Sequence, residues 1–261
     1  MTTKRCVLAA MMMLATFVVA GCALVPGKPK AEERWVPPAQ ITDFNQLYSQ
    51  NCAGCHGTVG RLGSAPPLND PLYLAVANAD ALREVTAKGV AGTAMPAFAE
   101  QSGGSLTDKQ IDALVEGMRS QWGRPNDFKD VALPPYSLQD AIKSGLGPGD
   151  TQRGATVFAT YCAQCHGADG RGGAVGGSVV NPNFLALASD QSLRTTTIVG
   201  RPDLGKPDWR ANVPGHPMSP KDISDVVAWL ISQRGNSSSP GRDSADSKVS
   251  STKVADGLKR E

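Results

Sequence analysis

Cys52-Ala53-Gly54-Cys55-His56 and Cys162-Ala163-Gln164-Cys165-His166 are two copies of one pattern, Cys-x-x-Cys-His, set 110 residues apart. The spacing puts both thiols of a copy on one side of a helical turn, with an imidazole directly after the second. The other two of the six cysteines, Cys6 and Cys22, lie near the N-terminus. A zinc ribbon needs its two Cys pairs roughly 15–20 residues apart. A thioredoxin-like pair belongs beside a βαβ pattern, which the flanking sequence lacks. A structural disulfide leaves the repeated His unexplained.

The surroundings of the two motifs repeat as well. Leu47 and Tyr48 precede the first as Val157 and Phe158 precede the second. A Gly-rich loop follows each. Leu82-Arg83 then correspond to Leu193-Arg194, and Gly89 to Gly200. Each copy closes on an amphipathic helix. Thr107 caps one, followed by Ile111, Leu114, Val115 and Met118. Ser219 caps the other, followed by Ile223, Val226, Val227 and Leu230. Two modules result, at 41–123 and 150–235, joined by a Pro- and Gly-bearing linker, 124–149, with one short helix expected at 137–143.

Cys-x-x-Cys-His is the attachment motif of c-type haem: two thiols for the vinyl groups and a His for the iron. Two haems are therefore expected, held by Cys52, Cys55 and His56, and by Cys162, Cys165 and His166. Both modules resemble class I c-type cytochromes. The resemblance covers about two thirds of the chain and implies an all-α fold, each domain wrapping one haem. Modules this small have marginal cores, and the chain is only 5% aromatic; a covalent haem would fill that deficit.

The resemblance also implies further site residues. Met95, in Gly92-Thr93-Ala94-Met95-Pro96-Ala97-Phe98, matches the loop that carries the sixth ligand. His/Met ligation closes the iron and raises its potential. The second module departs from the pattern, because Lys206-Pro207-Asp208-Trp209 stands where Met95-Pro96-Ala97-Phe98 is expected. Four arrangements stay open there: Lys206 as a neutral amine, His216, Met218, or a five-coordinate iron. Met218 directly precedes the cap Ser219 as Leu106 precedes Thr107, a position that packs inward on its own helix. The family's proximal His is oriented by a proline carbonyl. Pro67 is expected in that role, with Ser178 in the second module. The two haems should differ in potential.

Residues 1–21 read as an export signal, with Lys4 and Arg5 before an apolar stretch. Val19-Ala20-Gly21-Cys22 resembles a bacterial lipobox, which implies acylation of Cys22 and a lipid anchor. Residues 22–40 read as a Pro-rich tether, and 236–261 as a disordered, Ser-rich tail. A net charge of +2 excludes a strongly basic, nucleic-acid-binding surface. No apolar run of membrane-spanning length follows residue 30. The first module holds five basic and eight acidic residues, the second eight and seven.

These readings lead to an exported, lipid-anchored dihaem cytochrome c facing the periplasm, with the outer membrane as a second location. It would relay single electrons between respiratory redox proteins rather than act as an enzyme. The alternatives are a dihaem oxidoreductase with a reactive second haem, and a fixed cytochrome subunit of a larger respiratory complex.

Overall fold

The computed structural model describes residues 35–234. The signal at 1–21, Cys22, most of the tether and the tail at 236–261 lie outside the described residues. Among the described residues the fold is helical and has no strands, only isolated bridges at Ala99–Leu106 and Arg201–Lys206. None of the described helices is long and apolar enough to cross a membrane.

The first module opens on α1 (Phe44–Asn51), where Asp43 accepts from the Gln46 amide at 2.7 Å and Phe44, Leu47 and Tyr48 turn inward. Then come α2 (Ala53–His56), α3 (Pro71–Val76), α4 (Ala79–Lys88) and the closing α5 (Asp108–Trp122). Thr107 caps α5 in a reciprocal box with Gln110, and the expected Ile111, Leu114, Val115 and Met118 are buried. Helices α1 and α5 pack through aromatics. Trp122 meets Phe44 edge-on at 5.2 Å and Tyr48 at 5.1 Å. Gly117 permits the approach, since a Cβ there would lie 2.2 Å from the Phe44 ring.

The second module repeats the plan with α7 (Thr151–Tyr161), α8 (Ala163–His166), α9 (Pro182–Leu187), α10 (Asp190–Val199) and α11 (Pro220–Ser232). Ser219 and Asp222 form the same capping box. Phe158 and Trp229 pack at 4.3 Å between ring centroids. The glycine that allows close contact now sits on the opening helix: a Cβ on Gly154 would lie 2.1 Å from the Asp225 carbonyl oxygen.

The connecting segment is not a bare tether. It holds α6 (Leu138–Lys143), capped by Ser137 as its sequence suggests. It docks on the second module through Arg194, which is fully buried. Arg194 donates to the carbonyls of Pro135 (Nη2, 2.7 Å) and Tyr136 (Nε, 3.1 Å) and to Ser224 Oγ (3.2 Å). Burial pulls the guanidinium down to about 10. The core of the second module continues through Phe128, Val131, Leu133 and Leu138 of the connection to Leu72, Tyr73 and Val76 of α3. The two modules thus share apolar packing, which two similar halves joined by a linker do not by themselves announce.

Candidate haem sites

Each motif rides a kink between two helices. Cys52 ends α1 and starts α2, and the His56 amide returns to the Cys52 carbonyl at 3.0 Å. Cys162 does the same between α7 and α8, with His166 to Cys162 at 3.0 Å. The residue after each His must be glycine. Gly57 and Gly167 sit at φ 84° and 79°, and a Cβ on Gly57 would lie 1.8 Å from the Arg61 oxygen.

No disulfide joins the four motif cysteines. Burial, with Cys55 beside it, pushes the Cys52 thiol up to about 11; Cys162 beside Cys165 is raised to the same value. A redox-active Cys-x-x-Cys pair has the opposite, depressed value.

The imidazoles are set for a metal. His56 Nδ1 lies 2.7 Å from the Pro66 carbonyl oxygen, and His166 Nδ1 lies 2.7 Å from that of Gly177. A carbonyl only accepts, so each Nδ1 carries a proton, and in the neutral ring that leaves the lone pair on Nε2. His56 Nε2 is buried and has no hydrogen-bond partner. Burial holds His56 below the usual imidazole range, against the pull of the Pro66 carbonyl. A buried, neutral imidazole with an orphaned Nε2 next to two thiols fits a c-type haem.

The orienting carbonyl corrects the expectation at Pro67. It belongs to Pro66, and in the second module to Gly177 rather than Ser178. Pro67 acts one step removed. A residue before proline is confined to extended backbone, which fixes where the Pro66 carbonyl points. Gly177 has no such constraint, since Ser178 follows it, and Ser178 Oγ instead donates to the Gly170 carbonyl at 3.2 Å.

The distal loops superimpose by their contacts. The Val90 amide donates to the Met95 carbonyl at 3.0 Å, as the Arg201 amide donates to Lys206 at 3.2 Å. Gly89 is pressed against Met95 and Pro96, and Gly200 against Lys206 and Pro207. Lys206 thus holds the position of Met95. Its Nζ donates to the Val175 carbonyl at 2.9 Å. Met218 holds the position of Leu106: its amide donates to Trp209 at 2.9 Å, as that of Leu106 does to Phe98 at 2.8 Å. His216 is exposed on the intervening loop.

Sequence reasoning missed two residues near these sites. Asp203, three positions before Lys206, has a buried side chain that pairs with Arg201 and accepts from the Leu62 amide at 3.3 Å. Leu62 belongs to the loop after His56 and has a left-handed φ of 61°. Gln164, inside the second motif, donates to the Asn212 carbonyl at 2.9 Å and ties the motif to the distal loop. Neither contact leaves a sequence signal, because each joins segments far apart in the chain.

Comparison with known proteins agrees with this geometry. Residues 39–116 match the family model described as cytochrome c oxidase, cbb3-type, subunit III, and residues 151–234 match cytochrome c. The chain is 25% identical over 224 residues to the cytochrome bc1 complex cytochrome c subunit of Corynebacterium diphtheriae, covering 84% of this chain and 75% of that one. The Mycobacterium tuberculosis subunit of the same name is 25% identical over 198 residues, 75% of this chain and 67% of that one. The Cbb3-type cytochrome c oxidase subunit CcoP of Rhodobacter capsulatus is 36% identical over 168 residues, 61% of this chain and 56% of that one. With two cytochrome c domains and a Cys-x-x-Cys-His motif in each, the chain is a dihaem c-type cytochrome.

Proposed function

We propose that this cytochrome is the electron-transfer subunit of a membrane respiratory complex and passes single electrons between its own two haems. The haem, when bound, supplies a one-electron couple at iron. The chain's residues attach it, hold the imidazoles in one tautomer, exclude water and set the axial field. The observation that carries the relay is the hydrogen bond from the Leu62 amide to Asp203. It joins the loop that follows His56 to the loop that carries Lys206. The apolar core shared by α3, the connection and the second module supports a fixed geometry between the two sites.

The names of the relatives favour a complex subunit over a free carrier. Co-purification in mild detergent with a large redox partner is the expected result, and isolation as a lone carrier from native membranes would contradict it. The relay itself is tested by Asp203→Ala in rapid reduction of the holoprotein. Slower equilibration between the haems is expected, and an unchanged rate would remove this contact from the path.

Acylation at Cys22, with the periplasmic face of the cell membrane as location, completes the reading. The lipobox-like Val19-Ala20-Gly21-Cys22 supports it. Cys22→Ser should move the protein from the membrane to the soluble fraction of the exported material.

A further inference from the structure

The second module lacks the methionine that its own repeat partner carries, and three side chains compete to replace it: Lys206, His216 and Met218. The backbone separates them. Position 206 repeats position 95 in two independent respects, the amide that its carbonyl accepts from and the glycine pressed against it. Position 218 repeats position 106, a buried leucine on the doorstep of the closing helix. The Met218 side chain is 2% exposed, belongs to the apolar core, and its sulfur lies 3.8 Å from Asn212 Nδ2. His216 is exposed, and its amide closes a turn onto the Val213 carbonyl at 3.0 Å.

The Lys206 side chain crosses from the distal loop to the loop that holds the proximal imidazole. Its Nζ reaches the carbonyl of Val175. The next residue, Gly176, lies so close to His166 that a Cβ there would stand 2.9 Å from Nδ1. The one after, Gly177, supplies the carbonyl that orients the ring. That contact holds the amine against the loop that flanks His166, and reaching the iron requires it to leave Val175.

We propose that Lys206 supplies the sixth ligand of the second haem iron, opposite His166. The inference rests on the reading that both motifs carry haem. On ligation the ammonium gives one proton to solvent, its nitrogen lone pair goes to the iron, and the hydrogen bond to Val175 is given up; no electron is transferred. An amine in place of a thioether lowers the potential, so the second haem is the lower of the two.

The test uses the full-length holoprotein, with covalent haem counted first. Fewer than two haems per chain would overturn the underlying reading, whatever the ligand. With two haems present, low-temperature EPR and carbon monoxide addition address Lys206 itself. Wild type should show two low-spin ferric haems and no carbon monoxide binding after reduction. Lys206→Arg keeps a donor for Val175 but cannot ligate, because arginine does not deprotonate. It should turn one haem high-spin and open it to carbon monoxide, as should Lys206→Ala.

Lys206→Met should restore low spin, double the thioether-to-iron charge-transfer band and raise the lower potential. Should the alanine variant fail to mature, the arginine and methionine variants still decide. A carbon-monoxide-binding haem in wild type would overturn the proposal. So would an unchanged spectrum in Lys206→Arg, or loss of low spin in Met218→Leu or His216→Ala instead.

Discussion

Asp70 shows how much one position can differ between two copies of a fold. Its Oδ1 caps α3, accepting from the amides of Leu72 at 2.7 Å and Tyr73 at 3.0 Å. Its Oδ2 is buried without a partner. Burial pushes this carboxyl above the usual range, against the pull of those two amides. The second module has Asn181 at the same place, capping α9 through its amide oxygen. A carboxyl raised in the folded state costs stability once the pH exceeds its unfolded value near 4, and the cost is full above the folded value. Asp70→Asn keeps the cap and removes the buried charge. It should stabilise the holoprotein by about 1 kcal/mol at neutral pH, with the gain vanishing in acid, as read by denaturant titration at both pH values. The attachment residues were legible because Cys-x-x-Cys-His is local and repeated. The orienting carbonyl was misplaced by one residue, at Pro67 instead of Pro66, because a carbonyl's direction follows from backbone angles that side-chain identity only constrains.

Among elements, the second module is held by two charged contacts of different kinds. Arg194 sits in the sequence exactly where Arg83 does in the repeat, yet Arg83 pairs at the surface with Asp108 and Asp112 while Arg194 is buried under the connection. Arg194→Met would leave the Pro135 and Tyr136 carbonyls without their donor. A loss of about 2–3 kcal/mol is expected, together with faster proteolysis within 124–149. The other contact joins α7 to α11. Asp225 is fully buried and accepts from Lys221 Nζ at 2.5 Å, from the Asp150 amide at 2.7 Å and from Arg153. Burial alone would raise its carboxyl, but these donors outweigh burial and hold it below the usual range. Such a group stabilises the fold above its unfolded value, and the contribution is lost as pH falls through the folded one. Stability should therefore drop below about pH 4, and Asp225→Asn should flatten that acid limb. The caps and apolar stripes of α5 and α11 could be read directly, because period and cap are local. The docking of the connection could not, since two equivalent arginines look the same until the chain folds over one of them.

At the scale of the molecule, the repeat made two haem modules visible, and the break in the repeat at Lys206 made one of them unequal. What the repeat hid is their joining: the core that runs from α3 into the second module and the Leu62–Asp203 hydrogen bond between their loops. Two haems of different potential, held on either side of that shared core, would give an electron a preferred direction, which suits a subunit placed between a donor and an acceptor. The most direct test of this account is a spectroelectrochemical titration of the full-length holoprotein, followed by carbon monoxide addition to the reduced form. The account predicts two covalent haems titrating as two separate one-electron steps, the lower one belonging to the second module, with no carbon monoxide bound. A single haem, two indistinguishable steps, or a second haem that readily takes carbon monoxide would contradict it.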